Sequence, residues 1–158
     1  MSGMMNDMIN RARERTGDPA REYGLAMLTA LTAAEIYGEA GSAQAFGFYS
    51  AIGRRLAALV DLHDVRDLDG LSDRVNSLWV ACGLGQARIQ YVETGIRVIH
   101  RAAPATIEGD HAGHWATLFP ALIEGAYDAW FRQLGSGPAL VTRIVRQDGD
   151  LIELHHGG

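Results

Sequence analysis

The chain has 158 residues, a length that predicts one domain over residues 1–158, able to bury roughly two-thirds of the surface of its unfolded form. Its net charge of −5 argues against nucleic acid as the main partner, because phosphate binding normally requires a basic surface. Cys82 is the only cysteine, which excludes an internal disulfide and a cysteine-based zinc site. No apolar run reaches the roughly 18–20 residues that span a bilayer, and charged residues stand where a signal peptide has its apolar segment. We therefore expect a cytoplasmic protein that is not itself transmembrane.

The N-terminal half of the chain is predicted to be helical. Residues 1–19 are polar and end in a turn at Gly17–Pro19, which indicates a mobile N-terminal arm or a frayed helix. Apolar residues at helical spacing then predict three helices. They run from Arg21 to about Gly38, from Ser42 (as N-cap) to about Val60, and from about Leu71 to Gly83.

The apolar faces of the second and third predicted helices contain candidate core residues. On the second helix they are Phe46, Tyr49, Ile52, Leu56 and Leu59 or Val60, with Arg54 and Arg55 on the solvent side. On the third helix they are Leu71, Val75, Leu78, Trp79 and Cys82. Cys82 is therefore expected to be a small buried hydrophobic residue and not a nucleophile.

Two β-hairpins are predicted in the C-terminal half. In the first, apolar and polar residues alternate over residues 87–91 and 96–100, and Gly95 in the intervening turn supplies a positive φ. In the second, residues 139–147 and 151–156 flank a strong Asp148-Gly149 turn signal.

A long amphipathic helix is predicted between the hairpins, within Trp115–Leu134. Its apolar residues recur at steps of three and four, which is the period of one broad helical face. We expect it to begin near residue 117, because Pro120 is tolerated in a first turn, and to end at Gly135. A helix this apolar requires a sheet or a second copy of the chain to cover it. Its aromatic residues are the candidate core or oligomer-interface residues: Trp115, Phe119, Tyr127, Trp130 and Phe131.

The order of these elements predicts an α+β domain. N-terminal helices precede a β-hairpin, the long amphipathic helix and a second β-hairpin, and the two hairpins are expected to form a four-stranded antiparallel sheet. Residues 1–158 contain no internal repeat or second-domain linker, so we expect a single domain with residues 1–19 as its arm.

The best metal-binding candidates are His111 and His114, which are three residues apart beside Asp110, with His100 not far off in sequence. The nearby glycines, and the absence of a glutamate where a zinc protease has its general base, favour a solvated loop over a metal site. The prediction is that the protein holds no metal and no cofactor.

Other candidate chemistry is also incomplete. Asp61, Asp64, Asp67 and Asp69 precede Gly70 but do not have the register of a calcium loop. Glu35, Glu124 and Asp128 are conceivable glycosidase carboxylates, although Glu124 and Asp128 lie four apart on one helical face, where solvent or an arginine is the expected neighbour. No nucleophile motif or phosphate-binding glycine loop is present, so the residues favour a binding or assembly protein and no catalytic residue is assigned.

Four stretches within residues 21–155 form a recognisable set. They are LIEGAYDAW (Leu122–Trp130), RVIHRAAP (Arg97–Pro104), LVTRIV (Leu140–Val145) and AGSAQAFGFYSAIGRRLAAL (Ala40–Leu59). Together they resemble the D subunit of bacterial cellulose synthase, a small accessory protein of cellulose-producing proteobacteria, because they occur in that family's order and at about its spacing.

The resemblance implies a non-catalytic protein that forms a ring-like homo-octamer, built as a tetramer of dimers, and works with other cellulose synthase subunits. Nascent β-1,4-glucan chains would be guided through the ring, or the ring would align synthase complexes at the inner membrane. In the family, N-terminal segments partly line the passages. Position and hydrogen-bonding capacity alone therefore make Ser2, Asn6, Asn10 and Arg11 the candidate glucan contacts, since this segment does not match the family by motif.

Two other classes of function stay open at this point. One is an acidic α+β dimer that acts as a chaperone or a ligand-sensing regulatory domain. The other is a metal-dependent hydrolase that uses His100, Asp110, His111 and His114. For the accessory protein, the absence of a signal sequence favours the cytoplasm over the periplasm.

Overall fold

A computed structural model describes residues 2–14 and 17–158. It confirms the predicted α+β class, with five helices and one four-stranded antiparallel sheet in the order β1-β2-β4-β3. The elements are α1 (Ser2–Glu14), α2 (Pro19–Ala40), α3 (Ser42–Ala57), α4 (Leu68–Cys82), β1 (Gln86–Val92), β2 (Gly95–Arg101), α5 (Trp115–Gln133), β3 (Val141–Asp148) and β4 (Leu151–Gly157).

The helices α3 and α5 pack with their backbones in direct contact. A Cβ atom placed on Gly53 of α3 would lie 2.8 Å from the Leu122 carbonyl carbon and 2.9 Å from the Ala126 nitrogen of α5. In the reverse direction, a Cβ atom on Gly125 would lie 2.8 Å from the Ser50 carbonyl carbon. Only glycine permits this approach, because real Cβ atoms essentially never come within 3.0 Å of another heavy atom.

This close approach corrects the predicted buried face of α3. The buried row is Ala45, Tyr49, Gly53 and Ala57, spaced by four residues. Of the predicted face, Tyr49 and Val60 are buried, whereas Phe46, Ile52 and Leu56 are half-buried and Leu59 is exposed. Small residues lie at the centre because a larger side chain would hold the two helices apart. Ser42 is also not the N-cap, since Gly41 occupies that position with a φ of 82°. The prediction that Arg54 and Arg55 face solvent is confirmed.

Helix α4 begins three residues earlier than predicted because the preceding loop supplies its cap. The Asp67 carboxylate accepts a hydrogen bond of 2.7 Å from the Gly70 backbone N–H, which satisfies one of the free donors of the first turn. Leu71, Val75, Leu78 and Trp79 are buried as predicted. Cys82 is not: it is exposed at the last position of the helix, so its burial was wrongly predicted.

Helix α5 begins at Trp115, two residues before the predicted start, so Pro120 lies in its interior. Proline has no N–H to donate to the carbonyl four residues earlier, which is that of Ala116. The Gln147 side chain of β3 fills this role, since its Nε2 donates to the Ala116 oxygen at 2.6 Å. The helix ends at Gln133, and Gly135 terminates it as predicted: it follows the C-cap Leu134 with a φ of 97°, and its N–H donates to the Arg132 carbonyl.

Both hairpins form as predicted, and β2 pairs with β4 to join them. The two edges of the sheet are partly occupied by side chains. On β1, the Asn76 amide makes two hydrogen bonds with the Ala87 backbone, of 2.6 and 2.8 Å. On β3, the Ile144 N–H donates to Glu124 at 3.2 Å, next to a register shift. These contacts reduce the backbone groups with which another strand can pair.

Candidate functional site

The predicted glucan contacts lie on α1. Asn6, Asn10 and Arg11 are exposed, and the Arg11 guanidinium lies 3.9 Å from the Asp7 carboxylate one turn away. The side chain of Ser2 lies outside the described part of the structure. Met5 on the same helix is buried in the core beside α4, so α1 is anchored to the domain. The polar face of α1 is thereby presented to solvent.

The five aromatic residues singled out on α5 all lie in the core. Tyr127 and Trp130 have no exposed surface, Phe119 and Phe131 are 2% exposed, and Trp115 is 7% exposed. Their rings contact one another, as when Trp115 stacks on Phe119 with centroids 5.0 Å apart. These side chains therefore hold the monomer together, and another surface has to supply any contact between copies.

The Tyr127 hydroxyl lies at the centre of a buried polar chain. Trp79 Nε1 donates to it at 3.0 Å, and the hydroxyl lies 2.8 Å from His100 Nδ1. His100 Nε2 lies 2.7 Å from the Leu84 carbonyl, which can only accept, so Nε2 carries the proton and Nδ1 accepts from Tyr127. Desolvation lowers the pKa of His100 despite the opposing contact with Leu84, and it raises the pKa of Tyr127. Both groups stay neutral, and the network is structural because no solvent reaches it.

The four metal candidates are not grouped at one site. His100 belongs to the buried chain, His114 stacks on Tyr37 with ring centroids 4.0 Å apart, and His111 is exposed. Asp110 caps α5 instead, because its carboxylate accepts from the backbone N–H groups of His114 and Trp115 at 3.0 and 2.9 Å. Within residues 2–14 and 17–158, no three His, Cys, Asp or Glu side chains are grouped so that they could hold a metal.

The acidic candidates also have structural partners. Glu124 accepts from the edge of β3, and desolvation raises its pKa. Asp128 lies 3.3 Å from Arg132, which is the arginine neighbour that the spacing predicts. In the loop before α4, Asp64 pairs with Arg74 at 3.0 Å and Asp61 with His63 at 2.9 Å.

A groove lies beside the C-terminal end of α5, and we call it the α5-end groove. It comprises two cavities of about 510 and 340 Å³, and Leu62, His63 and Gln133 line both of them. The larger cavity extends to Tyr91 on β1, and the smaller one extends to Ala58 at the end of α3. The sequence did not reveal this groove, because the loop, the sheet and the helix that form it are distant along the chain.

A second polar chain lies at the wall of this groove. The Thr142 hydroxyl donates to Asp128 at 2.9 Å and lies 2.8 Å from His156 Nδ1, while the Ser136 hydroxyl lies 2.6 Å from His156 Nε2. The Thr142 hydroxyl has one proton and donates it to Asp128, so it can only accept a hydrogen bond from His156. His156 therefore carries its proton on Nδ1. Its Nε2 is then an acceptor, and the Ser136 hydroxyl donates to it. The lone pairs of the Ser136 oxygen remain free to accept a hydrogen bond from a molecule in the groove.

A serine that donates to a neutral histidine is also a feature of acyl-transfer enzymes, which additionally require free donors to stabilise an oxyanion. Two of the backbone donors next to Ser136 are already used. The Ser136 N–H donates to the Phe131 carbonyl at 3.0 Å, and the Gly135 N–H donates to the Arg132 carbonyl at 3.1 Å, as part of the helix C-terminus. The geometry therefore favours a polar binding residue over a nucleophile.

The face of the sheet that points away from the helices is rich in arginine, and we call it the outer sheet face. Across the strands, Arg97 lies between Gln90 and His155, and Arg88 lies in the adjacent row. The face contains five arginines and two acidic residues, which give it a formal charge of +3, whereas the whole chain has a net charge of −5. Its charged residues are Arg88, Arg97, Arg101, Arg143, Arg146, Asp148 and Glu153. The one close pair among them at the centre joins Arg97 to Glu153 at 2.7 Å.

Helix α2 has a row of exposed leucines. Leu25, Leu28 and Leu31 are 59%, 62% and 56% exposed and are three residues apart. Tyr23 is also exposed, at 50%, but it lies on a different side of the helix from the leucines. The opposite side of α2 contacts α3 and α5 through the buried Ala30 and Ala33. An apolar row of this kind on a helix is typical of an interaction surface.

In the described residues, no helix is both long enough and apolar enough to cross a membrane. Among curated proteins, none matches the chain. The family model for the D subunit of cellulose synthase matches residues 20–157, a region that includes nearly all of α2 and everything from there to the end of β4. The match confirms the resemblance drawn from the sequence, and the chain belongs to the family of cellulose synthase D subunits.

Proposed function

We propose that this protein is a non-catalytic accessory subunit of the bacterial cellulose synthase complex. It forms a ring-like homo-octamer, a tetramer of dimers, that guides β-1,4-glucan chains or aligns the synthase complexes so that crystalline cellulose assembles. Membership of the family supports the cellulose synthase part of the proposal. The exposed leucine row of α2 is the observation that supports the formation of an oligomer.

The leucine row supports self-association because burying it removes apolar surface from water. Each leucine is more than half exposed in the monomer, and full burial of a leucine side chain is worth about 1.5–3 kcal/mol. Obligate interfaces between protomers are more apolar than transient ones. The aromatic residues of α5 are already buried within the monomer, so α2 supplies the apolar surface that a lasting interface requires.

The proposed mechanism requires no catalytic residue. A ring with several passages places glucan chains side by side, which raises their effective concentration for lateral association. Contacts with each chain have to be weak and partly water-mediated, so that the chain keeps moving. The exposed Asn6, Asn10 and Arg11 of α1 have suitable hydrogen-bonding groups, and Ser2 remains with them as a candidate glucan contact.

The other subunits of the complex require a docking surface as well. The outer sheet face is our candidate, because its formal charge of +3 favours a partner with an acidic surface. We place the ring in the cytoplasm, associated with the synthase complex at the inner membrane. There it aligns complexes without having to cross the bilayer.

The test is the mass of the purified protein by light scattering. We expect about eight times the 17.1 kDa of one chain. A Leu28→Glu, Leu31→Glu variant should fall to a smaller species while it keeps its circular dichroism spectrum, because two charges would have to be buried at the interface. The matched control is Leu59→Glu, which changes a leucine that is 49% exposed and lies outside α2.

Three outcomes would contradict the proposal. A wild-type monomer at micromolar concentration would rule out the ring, and a mass near two chains would favour the dimeric chaperone or regulatory domain. If the α2 variant kept the full mass, the leucine row would not be the interface.

A further inference from the structure

We propose that the free edge of β3 binds an extended acidic segment of a partner protein. The segment adds to the sheet as a fifth strand, and its carboxylates pair with Arg143 and Arg146. This inference rests on the proposed function, since it names the part of the outer sheet face that a partner subunit contacts and the kind of segment that the partner contributes.

The first support is the position of β3 in the sheet. The strand order β1-β2-β4-β3 gives β3 one neighbour, so the backbone groups on its other side are not used by the sheet. In the described residues, Ile144 is the only residue of β3 whose backbone binds a side chain, through its N–H and Glu124. An edge strand whose other N–H and C=O groups are unpaired is a template for one more strand.

The second support is the exposure of apolar side chains along this edge. Val141 and Val145 of β3 are 42% and 57% exposed, and Leu140, directly before the strand, is 37% exposed. Valine is favoured in strands where side chains of a neighbouring strand cover it. A fifth strand would remove part of this apolar surface from water, which stabilises the complex.

The third support is charge. Arg143 and Arg146 of the outer sheet face both lie on the edge strand. Arg143 makes no ion pair among the described residues, and Arg146 lies 3.4 Å from Asp148 in a pair whose side chains are both more than half exposed. Exposed pairs of this kind contribute little, so both arginines are available to a partner. Neighbouring strands lie about 4.8 Å apart, a distance at which carboxylates on the same face of a fifth strand reach both guanidinium groups.

The same two arginines disfavour a second copy of β3 as the added strand. In an antiparallel pairing centred on the middle of β3, Arg143 of each copy would lie opposite Arg146 of the other. Like charges in directly opposed positions destabilise a sheet. Side chains of a strand alternate between its two faces, so an acidic residue at every second position matches the arginines, and apolar residues between them lie on the face of Ile144.

The experiment measures the binding of a fluorescein-labelled peptide, Glu-Val-Glu-Val-Glu-Val-Glu, to the full-length protein by fluorescence anisotropy. We expect weak, saturable binding, and weaker binding of the same residues in the order Glu-Glu-Val-Val-Val-Glu-Glu, which lacks the alternation. Hydrogen exchange should slow in β3 and not in β1 when the peptide binds, because only the edge of β3 gains backbone hydrogen bonds.

Two charge-reversal variants locate the contact. Arg143→Glu, Arg146→Glu should lower the affinity for the peptide about tenfold and should gain binding of the corresponding Lys-Val peptide. The matched control is Arg88→Glu, Arg101→Glu, which makes the same change in net charge on β1 and β2 and should lower the affinity by no more than about twofold. Circular dichroism shows whether each variant is folded, and all four substituted residues are exposed.

Three outcomes would overturn the assignment. One is a wild type with the mass of eight chains that does not bind the Glu-Val peptide at millimolar concentration, a result that leaves the proposed ring intact; binding of phosphatidylglycerol vesicles by the same sample would make the partner a membrane surface. Another is an equal loss of affinity in the two double variants, which would mean that the whole face attracts the peptide and β3 does not pair with it. The third is a lower oligomer mass for the β3 variant, which would mean that a second copy covers this edge.

Discussion

Replacing Gly53 with alanine should destabilise the protein strongly, although alanine is the better helix former. The added methyl group would lie 2.8 and 2.9 Å from backbone atoms of α5 and closer still to the Leu122 oxygen, whereas ordinary van der Waals contact begins at 3.4 Å. The distance of 2.8 Å to the Leu122 carbonyl carbon is 0.6 Å shorter than ordinary contact, so the helices would have to separate by at least that amount. A backbone atom cannot rotate out of the way as the end of a side chain can. Adding a methyl group to a tightly packed core typically lowers stability by about 1–3 kcal/mol. Because this methyl group meets backbone atoms, we expect a loss at the upper end of that range or above it.

Helix propensity offsets about 1 kcal/mol of that cost, so we expect a net loss of at least ~2 kcal/mol, or a fall in melting temperature of about 4–8 °C. The matched control is Gly47→Ala in the same helix, where a Cβ atom meets nothing within 4 Å. It should stabilise the protein by about 0.5–1 kcal/mol. Urea denaturation at a fixed protein concentration measures both changes, since oligomers unfold in a concentration-dependent way. Equal stability of the two variants would refute the close packing of α3 and α5.

Two further predictions concern the buried chain around Tyr127. Tyr127→Phe leaves the Trp79 N–H and His100 Nδ1 without a partner, and it should lower the free energy of unfolding in urea by about 1–3 kcal/mol, whereas Tyr91→Phe at the surface should change it by less than about 0.5 kcal/mol. Folding lowers the pKa of His100 below the value of about 6.5 that histidine has in an unfolded chain. As the pH falls from about 7.5 to 5.5, His100 therefore becomes protonated in the unfolded chain before it does so in the folded protein. The free energy of unfolding should decrease over this pH range. A His100→Asn variant should show a shallower dependence, and this comparison cancels the opposite contribution of Glu124, whose pKa is raised. Parallel pH profiles for the two proteins would show that His100 is not the group responsible.

Local sequence signals predicted most of the elements, because they depend on contacts within a few residues. The turns at Gly95 and Gly149 define both hairpins, and the period of apolar residues locates α5. The errors at helix ends have non-local causes. Pro120 is tolerated inside α5 because Gln147, from a strand that follows the helix, satisfies the carbonyl that proline leaves free.

The candidate site was less predictable than the fold. Ser136, Thr142 and His156 carry no individual signal in the sequence, and no motif joins them to Asp128. Their hydrogen bonds exist because β3 and β4 pair next to the end of α5. The α5-end groove likewise needs the loop before α4 to lie beside that helix end.

The sequence alone determined the helices, the hairpins, the α+β class and the family, since propensity, periodicity and turn chemistry are encoded in neighbouring residues. Only the tertiary structure decided which sides of α2 and α3 are buried. At Gly53 a glycine became the centre of the packing of α3, and on α2 three leucines were left exposed. Burial depends on how closely two backbones approach, and that distance is a property of both helices together.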